Sequence, residues 1–405
     1  MTHRFGLLRR FRFNRPQRIA AALLALFLAQ GLWLTSRQAL SDRDYQYARC
    51  GRETWERPSP LAGYYTSCGN IHDGIFAYRA AGLPLTLNLL WERGLDRFRK
   101  PEDRVVQTVG LTPISSWELR HQLTHVLFLL RLPFLLGGCL LGGGLWWVTR
   151  RLYGNLGGYT ALALYCFSPA VIRACVQPSP EIFAALGVYA AIYTCIGVAH
   201  AMQGPRRRWR PRIVLLTLAL GLAAASHIAA LPAAALLGLA LMLWVAEGRR
   251  SQVLPIVLAA SVGALVLVFA CYGFSPDAFS YVFRSGAGFL SISASPVTRY
   301  FSALPNAGTA VAACAAVLLY LGTPHTRYFG NTAPLLCAVV LFVIVMTGAT
   351  GMPWLWAVPF LLTFIGGAFA DAYESPRARL ALGAGAAMVG LQVVFCLLSL
   401  PQLLQ

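Results

Sequence analysis

The sequence is poor in charged residues. It contains one lysine, Lys100, and 15 acidic residues among 405, and Asp, Glu, Lys and Arg together make up 12% of the chain. A disordered chain needs more charge than this, and a soluble globule needs more polar surface, so both classes are excluded. Apolar sequence is abundant instead, with 57% hydrophobic residues and a mean hydropathy of +0.58. This balance predicts an all-α polytopic membrane protein.

Nucleotide-binding and hydrolase motifs are also missing. The chain has no Walker sequence, no Rossmann fingerprint, no G-x-S-x-G and no H-E-x-x-H, so the enzyme classes that depend on these motifs are excluded. The net charge of +19 is almost entirely arginine, and it falls in short clusters between apolar runs. Such clusters are typical of cytoplasmic loops in membrane proteins, so no nucleic acid is expected as a partner.

Apolar runs long enough to cross a bilayer occur about eleven times. The block 213–246 is too long for one crossing. We divide it at "SHIAALP", Ser226 to Pro232, because proline interrupts a helix and histidine is costly inside a membrane. The predicted spans are 19–36, 125–148, 156–173, 179–202, 213–229, 230–246, 253–273, 304–322, 332–350, 352–370 and 380–400.

The arginine clusters predict the orientation. Six arginines lie in the basic tail 1–18, and five loops on the same side carry one to five arginines each. Arginine-rich loops stay in the cytoplasm. We therefore expect a multi-pass protein of the inner (plasma) membrane, with a cytoplasmic N-terminus and an extracytoplasmic C-terminus. The first span, 19–36, follows a charged start without a convincing cleavage site, so it is predicted to be an uncleaved anchor.

Residues 37–124 form the one long segment outside the predicted spans, on the extracytoplasmic face. The segment holds ten of the 15 acidic residues, and its stretches 74–92 and 116–124 have the pattern of amphipathic helices. It has few apolar runs of its own. We therefore expect it to pack as a cap on a transmembrane bundle of about ten helices formed by 125–405.

Eight of the ten cysteines lie in or beside predicted spans. The other two, Cys50 and Cys68, lie in the cap, where an oxidising compartment would permit a disulfide. Two free thiols are the alternative, and the spacing matches no zinc site. The histidines lack metal-ligand spacing as well, so hydrogen-bonded structural roles are expected for His72, His121, His125 and His227.

Three ionisable residues stand near the outer ends of consecutive predicted spans, where charge is expensive. Arg131 lies about two turns inside the second span, Arg173 ends the third, and Glu181 heads the fourth. Taken alone, Glu181 is a carboxylate at the positive end of a helix. An ion pair would account for two of these residues, and a polar cavity for an anionic substrate would account for all three.

Two further arginines, Arg284 and Arg299, lie in a later outer segment beside Tyr281 and Tyr300. Guanidinium groups match the oxygens of a phosphate. Ordinary anchoring at the membrane interface is the alternative role for these residues.

Several short motifs fall between Arg131 and Gly187. These are an Arg-Leu-Pro entry to the second span, the turn "RRLYG", Ser-Pro at the end of the third span and Pro-Glu at the start of the fourth. The stretch resembles the bacterial GT-C membrane glycosyltransferases. More narrowly, it is similar to glycosyltransferase family 39, the group of protein mannosyltransferases and aminoarabinose transferases of lipid A. The resemblance implies a GT-C-like fold. It also implies an inverting transfer of a sugar from a polyprenyl-phosphate donor to an acceptor on the extracytoplasmic face.

Family members carry an essential carboxylate early in the first outer loop, followed closely by Tyr and Ala-Arg. The segment "DRDYQYAR" is similar, and the likeness implies Asp44 as the general base, with Asp42 next and Tyr47 beside the substrate. A carboxylate can deprotonate an acceptor hydroxyl or amine, and Glu181 would orient or assist it. Arginines can neutralise the departing phosphate. The candidates are Arg131, Arg173, Arg284 and Arg299.

Other assignments remain open. No metal cofactor is expected, although some GT-C relatives use a divalent cation and Asp42, Asp44 and Glu181 could bind one. Arg43 separates two acidic residues that are usually adjacent in the family, and the His-Pro-Pro-Leu-like stretch is missing. A non-catalytic GT-C-like subunit of a membrane complex is therefore one alternative. A transporter or flippase of a lipid-linked substrate is another, although no inverted repeat favours it.

Overall fold

The computed structural model describes residues 14–56, 71, 73–96, 116–204, 209–284, 301, 306–346, 353–375 and 378–404. Within these residues every regular element is helical, which confirms the predicted all-α class. The α-helices are α1 (Arg15–Arg37), α2 (Asp42–Glu56), α3 (Ile75–Asp96), α4 (Ser116–Cys166), α5 (Pro169–Val176), α6 (Glu181–Met202), α7 (Arg210–Ser226), α8 (Ala230–Val245), α9 (Arg250–Cys271), α10 (Pro276–Arg284), α11 (Ala307–Gly322), α12 (Phe329–Met346), α13 (Val358–Tyr373) and α14 (Ala378–Ser399). Short 3-10 segments occupy Pro324–Thr326, Pro353–Trp356 and Leu400–Leu404.

Every predicted span overlaps a helix, but not every helix is long enough to be a crossing. Among the described residues, six helical stretches are long and apolar enough to span a membrane, and three shorter apolar helices accompany them. The six are Arg15–Arg37, His121–Cys166, Glu181–Met202, Arg250–Cys271, Trp354–Tyr373 and Ala378–Leu403. The count of about eleven spans therefore stays a prediction.

Helix α4 contains the predicted span 125–148 and most of the span 156–173, which ends in α5, because α4 reverses direction at Gly154. The φ angle of Gly154 is 79°, a backbone conformation that glycine adopts without strain. The hydroxyl of Tyr165, on the second arm, donates to the carbonyl of Gly138, on the first arm, at 2.7 Å. The arms 116–153 and 155–166 are therefore antiparallel neighbours, and the predicted turn "RRLYG" is where the chain reverses.

The predicted division of the block 213–246 is confirmed. Helix α7 ends at Ser226 and α8 begins at Ala230, with His227 between them in an extended conformation. The amide of Ala230 donates to the carbonyl of His227 at 2.9 Å. This turn places a histidine at the end of the bundle on which the cap packs, which we call the cap end.

The cap contains two helices in its described part, α2 and α3, which pack against each other and against α4. Helix α3 agrees with the amphipathic stretch predicted at 74–92. The other stretch, 116–124, is not a separate helix but the beginning of α4, because no turn residue separates it from the apolar run that follows.

The backbones of α2 and α3 touch where they cross. A Cβ atom added to Gly82 would overlap the backbone of Gly51, and one added to Gly51 would lie 2.7 Å from the amide nitrogen of Gly82. Two hydrogen bonds also join the cap to the end of α9. Arg79 donates to the carbonyl of Cys271 at 2.6 Å. The hydroxyl of Tyr272 donates to the backbone carbonyl of Ile71 at 3.2 Å.

Gly82→Ala should weaken the protein, because the new methyl group has no room at this crossing. Overpacking of this kind costs about 1–3 kcal/mol of unfolding free energy, which can be measured by denaturant unfolding in detergent micelles. Gly94→Ala is the matched control on the same helix, since a Cβ there would meet nothing within 4 Å. Equal effects of the two substitutions would contradict the close crossing.

Candidate active site

The first polar centre of the candidate site is an ion pair between the cap and the bundle. Arg131 lies on the first arm of α4 and Asp44 in the first turn of α2, and they are 1% and 0% exposed. Nε of Arg131 lies 3.0 Å from Oδ1 of Asp44, and Nη2 lies 2.7 Å from Oδ2. The same guanidinium donates to the Gln38 side chain and the Ala39 carbonyl, both at 3.2 Å. Arg131 therefore binds α2 and the segment that joins it to α1.

Asp44 also stabilises the start of α2. The amide and the hydroxyl of Ser41 donate to its Oδ2 at 2.9 and 2.7 Å, and the amide of Asp44 donates back to the Ser41 hydroxyl at 3.2 Å. This reciprocal arrangement is a capping box. Together with the two bonds from Arg131, it occupies both oxygens of the Asp44 carboxylate.

The second polar centre is Glu181, the first residue of α6. It is 6% exposed, and its Oε2 accepts a hydrogen bond from the indole Nε1 of Trp356 at 3.0 Å. In the part of the chain that the structure describes, no other hydrogen bond reaches this carboxylate. Its second oxygen is therefore free to accept a proton, whereas both oxygens of Asp44 are occupied.

A carboxylate and a histidine lie beside this centre. Oδ1 of Asp73 accepts the amides of Ile228 and Gly74 at 3.0 and 2.9 Å, and Oδ2 lies 3.2 Å from Nδ1 of His227. The His227 ring stands edge-on to the ring of Trp356, with 5.1 Å between their centroids. Burial raises the pKa of Asp73, while His227 and the two backbone amides oppose that rise.

Aromatic rings fill the space between the two centres. Tyr47 stacks on Tyr78 with ring centroids 4.2 Å apart, and it meets Phe134 edge-on at 6.1 Å. Phe134 then contacts Phe183 at 5.3 Å, and Phe183 contacts Phe76 at 5.1 Å. These rings come from α2, α3, α4 and α6, so the packing brings the cap and the bundle together around one site.

The pKa of the Tyr47 hydroxyl is affected by several charged residues of the site. Burial raises its pKa well above the ordinary value, Tyr78 adds to the rise, and Arg43 opposes it. Glu181 and Asp73 raise this pKa further, so all these residues share one electrostatic environment. Tyr47 therefore stays protonated.

Arg43 is the exposed cation of this environment. Its side chain is exposed, and its positive charge acts on Tyr47, Tyr78 and Glu181. Asp42, which precedes it, is also exposed. The residue that separates the two aspartates therefore supplies a positive charge at the open side of the site.

The structure describes only some of the other residues that were predicted for the site. Arg173 is exposed in the last turn of α5, and Arg284 is the last residue of α10. Arg299 lies outside the described residues. Cys50 is disulfide-bonded, but its predicted partner, Cys68, lies outside the described residues, so the pairing stays a prediction. The eight other cysteines are free.

Sequence reasoning missed Asp73 and Trp356. Asp73 stands in "NIHDG", and an Asp-Gly pair by itself indicates only a turn. Trp356 stands in "PWLWAVP", where a tryptophan at the end of a predicted span is typical of the membrane interface. His227 was expected to be structural, and the structure places it against both of them.

The three carboxylates proposed as metal ligands are not gathered around one point. Asp44 binds Arg131 in the interior, Asp42 is exposed, and Glu181 accepts from Trp356. Among the described residues, no group of three or more His, Cys, Asp or Glu side chains is arranged to hold a metal ion.

A comparison with protein families places part of the chain. Residues 110–272 match the family described as dolichyl-phosphate-mannose-protein mannosyltransferase. This stretch is less than half of the chain, and it includes Arg131, Glu181 and His227. No curated protein matches the sequence.

Solved structures match the fold over most of the chain. Two crystal structures of ArnT from Cupriavidus metallidurans match 92% of it: the apo state with a TM-score of 0.61 and 16% identity, and the form bound to undecaprenyl phosphate with 0.60 and 15%. The oligosaccharyltransferase of Archaeoglobus fulgidus, solved with zinc and sulfate, gives 0.52 and 13% over the same 92%. The chain covers 62% of each ArnT structure and 52% of the oligosaccharyltransferase. These likenesses show the fold, and the expected resemblance to the GT-C superfamily is confirmed.

Arg131→Met should destabilise the protein by about 3–5 kcal/mol, because it leaves the Asp44 carboxylate buried without its counter-charge. Unfolding in detergent micelles measures the loss. Adding Asp44→Asn should restore most of it, since asparagine still accepts from Ser41 and carries no charge. Arg173→Met, at an exposed position, should change stability by less than about 0.5 kcal/mol. An Arg131→Met variant as stable as Arg173→Met would contradict the importance of the pair.

Proposed function

We propose that this chain, which has the GT-C fold of the membrane glycosyltransferases, transfers a sugar from a polyprenyl-phosphate donor to an acceptor on the extracytoplasmic face of the inner membrane. The observation that carries the proposal is Glu181, a buried carboxylate with one uncommitted oxygen, at the cap end of a helical membrane bundle. The relatives support the substrate class. The matching family is named for a lipid-phosphate-linked sugar, and one ArnT structure holds undecaprenyl phosphate.

The reaction is an inverting displacement at the anomeric carbon. The acceptor oxygen or nitrogen bonds to that carbon from one face, and the bond to the phosphate oxygen breaks on the other. The electron pair of that bond leaves with the polyprenyl phosphate. Glu181 takes the proton of the acceptor, because it is the buried carboxylate of the site with an oxygen still available.

Asp44 then has a different role from that of the base implied by family resemblance. Its carboxylate already accepts two bonds from Arg131 and two from Ser41, so it has less capacity left for an acceptor hydroxyl than Glu181 has. We assign it to the alignment of α2, which carries Tyr47 and Arg43. Asp42, exposed in the first turn of α2, is the second candidate for the base.

Exposed arginines at the cap end suit the leaving phosphate. Arg43 adds a cation to a site that otherwise holds Glu181 and Asp73, and Arg173 ends the short helix before α6. Positive charge at these positions would stabilise the negative charge that develops on the phosphate. Arg284 and Arg299 are further candidates in the later outer segment. Arg131 is already neutralised by Asp44, so it acts through that pair.

One observation favours a second candidate, a GT-C-like subunit without catalysis. The carboxylate that the family pattern marks as essential is buried in an ion pair, and the chain covers less than two thirds of the ArnT structures and of the oligosaccharyltransferase. Such a subunit would purify with stoichiometric partner chains and would release no sugar from a donor.

Chelation with EDTA tests whether the transfer reaction depends on a metal ion, since a metal-independent enzyme keeps its activity.

Glu181→Gln should lower sugar transfer by about 100-fold or more, because the loss of a general base typically costs that much. The assay uses protein in lipid vesicles with undecaprenyl phosphate [14C]mannose and extracted envelope acceptors, and it measures label transferred. Asp42→Asn and Asp44→Asn are the comparison variants, each normalised to folded protein. Full activity of Glu181→Gln together with a loss in Asp44→Asn would move the base to Asp44.

Arg43→Gln should weaken the binding of undecaprenyl phosphate about tenfold, because it removes a charge-assisted hydrogen bond to the phosphate. Native mass spectrometry or ligand-induced thermal stabilisation measures the affinity without knowledge of the sugar. Arg18→Gln, in the first turn of α1, is the control, because it lies at the opposite end of α1 from the site. Unchanged binding in Arg43→Gln would exclude this contact.

A further inference from the structure

We propose that Asp73 and His227 are positioning residues for the transfer reaction, acting through the indole of Trp356 on the carboxylate of Glu181. The proposal rests on the function proposed above. These residues form one continuous chain of contacts, although they come from four separate segments: the turn before α3, the turn between α7 and α8, the 3-10 segment before α13, and the start of α6.

The indole of Trp356 is held from two sides. Its Nε1–H donates to Glu181 at 3.0 Å, and its ring meets the His227 ring at an interplanar angle of 79°. Trp356 is 2% exposed and His227 is 5% exposed, so neither ring can turn without disturbing its neighbours. The orientation of His227 therefore limits where the indole N–H points, and this N–H is the one described donor to Glu181.

Asp73 in turn orients His227. Its Oδ2 lies 3.2 Å from Nδ1 of the imidazole, so the carboxylate faces that edge of the ring and favours this one of the two ring orientations. Asp73 is itself fixed, because its Oδ1 accepts the backbone amides of Ile228 and Gly74. The contact between Asp73 and His227 therefore joins two turns, the one before α3 and the one between α7 and α8, that backbone hydrogen bonds hold in place.

The turn that carries Asp73 also touches the residue before Glu181. Gly74 has a φ angle of 79°, and a Cβ there would lie 3.1 Å from Cβ of Pro180. The cap thus meets the start of α6 twice, once where Gly74 packs against Pro180 and once through the side-chain network that ends at Glu181. A base must be held in a narrow range of geometry to be effective, and here that geometry depends on the cap being docked.

Trp356→Phe and His227→Phe separate hydrogen bonding from packing. Trp356→Phe removes the N–H donor, and His227→Phe keeps a ring against the indole but loses the contact with Asp73. Each should lower kcat for transfer from undecaprenyl phosphate [14C]mannose by about 10- to 100-fold. The KM for this donor and the affinity for undecaprenyl phosphate should stay within about twofold, because neither residue is assigned to the phosphate.

Trp354→Phe is the matched control, since Trp354 lies in the same 3-10 segment, whereas the indole that donates to Glu181 is that of Trp356. It should keep the wild-type kcat. Asp73→Ala should lower kcat in the same way as His227→Phe. Asp73→Asn should recover part of the loss, because asparagine keeps an acceptor for the two backbone amides and places a polar group of the same size against Nδ1 of the imidazole.

A double-mutant cycle then tests whether the network acts through Glu181. Glu181→Asp keeps a carboxylate that is too short to reach the indole, so adding Trp356→Phe or His227→Phe to it should lower kcat little further. Multiplicative losses in the double variants, or an unchanged kcat in the single ones, would overturn the positioning role and leave the transferase function standing. A wild-type protein that transfers no sugar would overturn the function and the positioning role together.

Discussion

The arrangement of the site depends on the buried ion pair between Asp44 and Arg131. Removing two charges from water costs several kcal/mol each, and such a pair persists only when hydrogen bonds satisfy the remaining donors and acceptors. Here they do, because Gln38, Ala39 and Ser41 complete the coordination. The pair therefore fixes the direction in which the chain leaves α1 and enters the cap. The placement of Tyr47 and Arg43 follows from it.

Two buried carboxylates of the site, Asp44 and Glu181, differ in the number of hydrogen bonds that they accept. Asp44 accepts four hydrogen bonds, two of them from a cation, whereas Glu181 accepts one, from a neutral indole. Differences of this kind separate the roles of paired carboxylates in enzymes. This difference is the reason why the proposed proton transfer is assigned to Glu181 and the alignment of α2 to Asp44.

Much of the fold could be predicted from the sequence, because the relevant signals are local. Apolar run length located the helices, Pro232 and His227 marked the break between α7 and α8, and Gly154 in "RRLYG" marked a reversal. The number of membrane crossings could not be predicted in the same way, since helices of 16 residues such as α8 are short for a bilayer.

The candidate site was predicted only in part. The likeness to GT-C sequences identified Asp44, Arg131 and Glu181, which the structure brings to one end of the bundle. It did not show that the first two neutralise each other, because they are 87 residues apart and pair only through tertiary packing. Asp73 and Trp356 could not be recognised for a similar reason. The sequence around Asp73 indicates only a turn, and the sequence around Trp356 indicates only an aromatic residue at the membrane interface. Neither pattern predicts the long-range contact that the residue makes.

Arg43 is explained by the geometry of a helix. Consecutive residues point about 100° apart around the axis, so when Asp44 faces Arg131 in the interior, the residue before it must face elsewhere. A second carboxylate at position 43 could not share Arg131, and it would add negative charge to a site that already contains Glu181 and Asp73. An arginine there instead offsets their charge, and its side chain is exposed to an anionic ligand that approaches from outside. The departure from the family pattern is thus compatible with a phosphate-binding site, provided that the proton is taken by Glu181 and not by a pair of adjacent acids on α2.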